Sequence, residues 1–295
     1  TRKESSAASD VYKRQALCAL EMEMCMLDWN TPKLSDKEWI EKCVKEAQYI
    51  GSDAAFANIY LLRSKYNIKV TYYKDLLIRY YEGLGNRKGY TFPLGRKDVL
   101  SALYAIEQDA KEMNRPLEFC FVTEEQKEIL ENTFAGRTES SSDAGDYDYI
   151  YGQPELSLLS GRTYHKKKNH VSKFKRTYED YMFCEIGNGN LDDVMLIEDE
   201  WYYDRLQQDD TSAMKEYEAI REAVDNFEEL SLSGGIIYAN NVPVAMTIAS
   251  YINDAAVDIH FEKAVGEYAV NGGFAAINQM YASTLKDCLL YTSDA

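Results

Sequence analysis

The chain has 295 residues, 45% hydrophobic and 28% charged, with a formal net charge of −16. That composition supports a folded core and excludes a disordered chain. The acidic balance excludes a general nucleic-acid binder, so contact with a polyanion requires a local basic patch. No stretch reaches the roughly 18–20 uninterrupted apolar residues of a membrane helix, and the most apolar segment, residues 242–252, holds Thr247 and Ser250.

Both ends are expected to be foreign to the fold. Residues 8–15 (ASDVYKRQ) and 288–295 (CLLYTSDA) can be encoded by opposite strands of one DNA sequence. Written as GATGTGTATAAGAGACAG, the codons for residues 10–15 have a reverse complement that reads Cys-Leu-Leu-Tyr-Thr-Ser one base in. Residues 1–15 and 288–295 are therefore read as translated sequencing adapter and set aside. The remaining cysteines, Cys18, Cys25, Cys43, Cys120 and Cys184, are odd in number and irregularly spaced, with no C-x-x-C. They argue against a disulfide framework or a zinc site and suit a reducing, cytoplasmic location.

In chain order, residues 35–49 carry an amphipathic pattern through Trp39, Ile40, Val44 and Ala47, with Ser35 and Glu38 spaced as a capping box. A short helical turn follows, then strands around 68–72 and 76–81, a turn at 83–89 and a short strand at 90–93. Residues 98–113 read as a helix with Val99, Leu100, Leu103 and Ile106 on its inner face; 117–122 as a strand; 123–132 as a helix capped by Thr123. The polar run 138–146 (TESSSDAGD) is the expected boundary between units 16–145 and 146–287. In the second unit, 147–151 is an expected strand, 155–178 a long basic helix, and 191–207 and 212–228 helices. Residues 235–238 and 242–250 form an expected hairpin around Asn240-Asn241, 255–263 a strand, and 273–284 a helix. The order of elements suggests two similar α/β units.

Three features carry candidate chemistry. Between Arg162 and Arg176 stand seven cations and two histidines with no acid. On a helix Lys166, His170 and Lys173 share one face, while Thr163, His170, Phe174 and Tyr178 share another. The run fits an anion site for phosphates, or equally a solvated face balancing an acidic neighbour. His170, near the apolar side, reads more readily as a hydrogen-bonded core histidine than as a catalyst. In Asp258-Ile-His-Phe-Glu-Lys263, strict alternation points Asp258, His260 and Glu262 to one face. A histidine and a carboxylate so placed could act as general base and orienting group, or simply form the outward face of a strand. Asn271-Gly-Gly-Phe274 precedes a helix and reads as a tight turn before a phosphate loop. The chain has no Walker A, G-x-G-x-x-G, H-E-x-x-H or G-x-S-x-G motif, and no metal site is expected.

Taken together, FANIYLLRSKY (56–66), YTFPLG (90–95), DYIY (148–151), LSGRTYHKKKNH (159–170), the 234–248 hairpin and HFEKA (260–264) resemble the C-terminal domain of phosphatidylglycerol lysyltransferases and its stand-alone relatives. The resemblance spans nearly all of residues 56–281, and its LSGR-x-x-HKK-x-NH stretch is the most specific part. It implies an α/β fold of tandem acetyltransferase-like (GNAT) domains with mixed, mostly antiparallel sheets. The family pattern continues past Tyr281 with a basic segment that this sequence does not carry, so the second domain is expected to be truncated. No membrane half is visible, and a lipid acceptor is not expected.

By resemblance the activity is acyl transfer from aminoacyl-tRNA to an amine or hydroxyl acceptor, with the donor a substrate and no bound cofactor. Arg162, His165, Lys166, Lys167, Lys168, Asn169, His170 and Lys263 would then bind substrate, and His260 and Glu262 would line the reaction cleft as catalytic residues. tRNA is the implied partner and DNA is not. A CoA-dependent N-acyltransferase is the second enzyme reading, against which stands the missing R-x-x-G-x-G/A pattern. A non-catalytic module for tRNA or another anion is the third.

Overall fold

The computed structural model describes residues 27–83, 87–142, 147–206, 211–285 and 289–292. The 1–15 segment, Cys18, Cys25 and Cys288, the centre of the 83–89 turn and the end of the 138–146 boundary lie outside the described residues. The first unit opens with helix α1 (Lys37–Glu46) and short helix α2 (Phe56–Leu61). Four strands follow: β1 (Lys69–Tyr73), β2 (Leu76–Glu82), β3 (Lys88–Tyr90) and β4 (Leu94–Gly95). All pairings are antiparallel, with β2 between β1 on one side and β3 and β4 on the other. β2 is buried at every residue but the last, as its apolar run requires. Helices α3 (Leu100–Glu112) and α4 (Glu124–Thr133) complete the unit. Leu103 and Ile106 pack into a cluster with Leu76, Ile78, Tyr80 and Tyr90.

Several local expectations are corrected. The first helical turn is capped by the Lys33 backbone N–H donating to Asp36 Oδ2 at 2.8 Å, not by Ser35. Leu100 is exposed, because α3 turns Ala102, Leu103 and Ile106 inward instead. The 117–122 strand reduces to a single parallel bridge, Tyr90 to Phe119, because Phe121 at φ 55° breaks the extended path. Of the expected 90–93 strand only Tyr90 lies in a strand, as the last residue of β3, and residues 91–93 connect it to β4. Thr123 does cap α4, with Gln126 completing the capping box.

The second unit is a six-stranded sheet in the order β5-β10-β9-β8-β7-β6. Its strands are β5 (Tyr149–Gly152), β6 (Met182–Glu185), β7 (Ser233–Ala239), β8 (Val242–Asn253), β9 (Ala256–Ala264) and β10 (Leu289–Thr292). Only β9 and β10 run parallel. β7 and β8 form the expected hairpin, with Asn240 and Asn241 at φ 54° and 62° as a type I′ turn demands. β6 was not legible in the sequence. The expected 155–178 helix is two helices, α5 (Gln153–Leu158) and α6 (His165–Thr177). Leu159 at φ 49° and Gly161 at φ 88° break it, which no continuous helix tolerates. Helices α7 (Leu191–Leu206), α8 (Thr211–Asp225), α9 (Gly266–Val270) and α10 (Gly273–Ala282) complete the unit.

The large sheet has two covered faces. Residues of α1, α2, α7 and α8 meet one, the front, where Ile40, Val44, Ile59, Ile197 and Ile220 share a cluster with Ile236, Met246, Ile248 and Phe261. α5, α6 and α10 cover the back, where Leu156, Val171, Tyr281, Phe174 and Ile277 meet Val257, Ile259, Ile237 and Ala264.

On β9 the side chains do not alternate throughout. Ile248 pairs with Phe261 and the next residue, Ala249, pairs with Ile259, so His260 is an extra residue in a β-bulge. Asp258, His260, Phe261 and Lys263 therefore face front, while Ile259 and Glu262 face back. The shared face expected for Asp258, His260 and Glu262 is corrected: the bulge puts Glu262 on the other side of the sheet.

Candidate functional site

On the back of the sheet the basic helix and the β9 carboxylate meet. Lys167 Nζ donates to Asn278 Oδ1 at 2.9 Å, and Asn278 Nδ2 donates to Glu262 Oε2 at 3.0 Å. The asparagine amide, presented from α10, thus bridges a cation and an anion with the polarity each requires. Lys167 Nζ also lies 4.9 Å from the centre of the Tyr151 ring. Burial pushes the Glu262 carboxyl up to about 7, against the Asn278 hydrogen bond and the Lys167 charge. Burial lowers the Lys167 ammonium in turn, opposed by Glu262. Directly across the strand pair from Glu262, the buried Thr247 Oγ1 has no hydrogen-bond partner among the described residues.

Local sequence explains why α6 and α10 come this close. α6 buries only Val171 and Phe174, which hold it to the sheet and leave its remaining faces to polar residues. Each such apolar side chain contributes about 1.5–3 kcal/mol on full burial. Gly272, at φ 102°, precedes α10, and a Cβ there would sit 2.4 Å from the His170 carbonyl oxygen. Only glycine permits that approach.

The expected substrate-binding residues divide accordingly. Lys167 is half-buried beside Glu262. Arg162, His165, Lys166, Lys168, Asn169 and His170 are exposed around it. The exposure of His170 corrects the core-histidine reading, since α6 turns Val171 inward at that level. Lys263 does not join this group. It is buried on the front face, its ammonium paired with Glu216 and 3.1 Å from the centre of the Trp201 ring.

His260 belongs to a buried front-face relay. Its Nε2 lies 2.8 Å from Ser250 Oγ, and its Nδ1 is 2.9 Å from both Asp258 Oδ2 and Asn58 Oδ1. Asn58, from α2, also donates to Asp258 Oδ2 at 2.5 Å. The side chains of His260 and Asp258 are fully buried. With Nδ1–H donated to the carboxylate side, Nε2 accepts from Ser250. Sequence reasoning found His260 but missed Asn58, Ser250 and Asn278. Asn58 lay inside the FANIYLLRSKY stretch, whereas nothing in the sequence marked Asn278.

Residues 45–293 match the family described as "Phosphatidylglycerol lysyltransferase, C-terminal". The chain belongs to this family. The match extends into the C-terminal segment read as adapter. Among solved structures, a conserved protein of unknown function from Bacteroides thetaiotaomicron is 26% identical, with a TM-score of 0.82, covering 90% of each chain. The C-terminal domain of a lysylphosphatidylglycerol synthetase from Agrobacterium fabrum has a TM-score of 0.56 at 11% identity, covering 87% of this chain and 78% of that one, a likeness of fold. A tandem GNAT protein of clavulanic acid biosynthesis is similar at a TM-score of 0.38 and 8% identity, covering 90% of this chain and 89% of that one. Among curated proteins none matches.

Membership of the phosphatidylglycerol lysyltransferase C-terminal family agrees with the mixed, mostly antiparallel α/β architecture and gives a transferase-like module. Among the described residues no helix is long and apolar enough to cross a membrane, and no group of three or more His, Cys, Asp or Glu could hold a metal ion.

Proposed function

We propose that this chain transfers an acyl group, most specifically an aminoacyl group from aminoacyl-tRNA in the cytoplasm, to an amine or hydroxyl acceptor. The observation that supports this reading is the Lys167–Asn278–Glu262 bridge, which joins the cationic helix to a carboxyl poised near neutrality. Arg162, His165, Lys166, Lys168, Asn169 and His170 are the side chains available to donor phosphates. Lys167 holds Asn278 and so aims Glu262. The acceptor X–H attacks the ester carbonyl carbon and its proton passes to Glu262. The C–O bond to the ribose breaks, and the ribose oxygen takes that proton back. The donor is a substrate, and the reaction needs no bound cofactor. Because the ester is already activated, orientation and proton transfer are the main tasks. His260, its side chain enclosed in the front-face relay, does not touch substrate in this reading.

The test is a titration with aminoacyl-tRNA across a salt series, beside Lys166/Lys168→Ala and Glu262→Gln variants. Each lost phosphate contact should lower the salt slope by about 1. The lysine variant should bind more weakly with a shallower slope. Glu262→Gln should bind normally and lose turnover by about 10²–10⁴-fold. A Glu262→Gln variant with full turnover removes the base role. No binding at low salt dismisses tRNA and moves the donor to a CoA ester.

A further inference from the structure

The Asn271-Gly-Gly-Phe274 turn ends in an exposed ring beside the cationic helix. α6 and α10 run antiparallel and are fastened at successive levels. Lys173 Nζ donates to the Val270 carbonyl at 3.2 Å, the Gly272 backbone abuts the His170 carbonyl, and Lys167 reaches Asn278 at 2.9 Å. Asn271 Nδ2 also donates to the Tyr178 hydroxyl at 2.8 Å. Phe274 lies between the Gly272 and Asn278 levels, alongside the Lys167–His170 turn of α6. Its helix buries Ile277, Met280 and Tyr281 yet leaves Phe274 41% exposed. The rings around the start of α10 are already partnered, since Tyr178 packs on Phe174 at 5.0 Å and on Tyr268 at 4.7 Å. Among the described residues no ring, lysine or arginine packs on the Phe274 ring.

We infer that Phe274 is the stacking platform for the unpaired terminal base of an RNA donor. The inference rests on the transfer reading and adds a residue to it. A single-stranded end is held by two kinds of group together: cations that track the phosphates and an aromatic face that takes a base. α6 supplies the first in Arg162, Lys166 and Lys168, exposed and without an ion pair among the described residues. Phe274 supplies the second, on a turn that its four fastenings hold in place before any ligand arrives. Asn278 follows Phe274 by one turn on the same side of α10, about 6 Å along its axis. A base on Phe274 therefore leaves its own ribose ester beside the Asn278–Glu262 pair, where the proton transfer is placed. Phosphate alone gives this ring nothing to stack on, so the ring selects a nucleotide end over a plain polyanion.

The experiment is a fluorescence-anisotropy titration of the full chain with a 5′-fluorescein-labelled RNA hexamer ending in CCA, across a salt series. Tripolyphosphate and adenosine 3′,5′-bisphosphate are the competitors. Wild type, Phe274→Ala, Phe274→Trp and Lys166/Lys168→Ala are compared. Phe274→Ala should weaken the hexamer by about 5- to 150-fold, the range for loss of one base stack. Its salt slope and its tripolyphosphate affinity should stay at the wild-type values, because a stack releases no counterions. Phe274→Trp should restore binding, and Lys166/Lys168→Ala should lower the salt slope instead. Wild-type affinity in Phe274→Ala would overturn the platform and leave the donor reading standing. Hexamer binding absent from wild type at low salt would overturn both. Adenosine 3′,5′-bisphosphate bound as tightly as the hexamer, and weakened equally by Phe274→Ala, would overturn the RNA end and give the ring to a CoA-type donor.

Discussion

Among the described residues neither oxygen of the buried Glu198 carboxyl has a hydrogen-bond partner. It sits on α7, fully shielded from solvent. Desolvation raises it to about 7, against the pull of Lys263 and with Glu216 and Asp199 adding to the rise. Its folded state therefore binds a proton more tightly than the unfolded chain does. Stability is unaffected by this group below its ordinary value of 4.5, falls as pH rises from there to about 7, and carries the full penalty above. Glu198→Gln should then stabilise the protein at pH 8 by up to about 3 kcal/mol and do little at pH 4. Urea unfolding at the two pH values checks it, and an equal effect at both would show that the carboxyl is not the cause. Glu262 titrates in the same range, but there the carboxylate is the working form. Turnover should rise with pH through about 7, and this limb should vanish in Glu262→Gln.

At the level of elements, the strand that carries most of the chemistry is also the one where pattern reading failed. Elements with a clear apolar pattern or turn signal were legible: β1, β2, the β7–β8 hairpin and α4 fall close to the residues expected for them. The break between α5 and α6 was not, because Leu159 adopts a left-handed conformation that its residue type does not advertise. β6 was missed because it is a four-residue edge strand with a weak pattern. The candidate site was half legible. The basic run and HFEKA stood out by composition, but their meeting depends on Asn278, an ordinary-looking residue in an apolar helix. The bulge on β9 was invisible because a one-residue insertion is defined by its partner strand, not by its own sequence. It also makes a prediction. Removing His260 would let Ile259 and Phe261 pair consecutively with Ala249 and Ile248, leaving Glu262 and Lys263 on their present faces. A His260 deletion should therefore fold, keep the Lys167–Asn278–Glu262 bridge and lose the front-face relay. Retained Glu262-dependent turnover would fit this register, and loss of all turnover in a folded deletion variant would not.

Across the whole molecule, the first unit and the large sheet are fastened by one continuous apolar cluster. Ile40, Phe56 and Ile59 share it with Ile236, Met246 and Phe261. Polar ties run the same way, from Arg63 to Glu222 at 2.6 Å and from Asn253 to the Tyr49 carbonyl at 2.8 Å. Neither unit can open without exposing apolar surface of the other, so calorimetry should show a single unfolding transition in place of two. Two resolved transitions would mean that the shared cluster contributes little. The cluster also bears on how such a chain could be divided. Two polypeptides encoding residues 16–142 and 147–295 would each emerge with half a core bare and should aggregate when made alone. Made together in one cell, each would act as the other's folding template, and the pair should co-purify as a non-covalent complex.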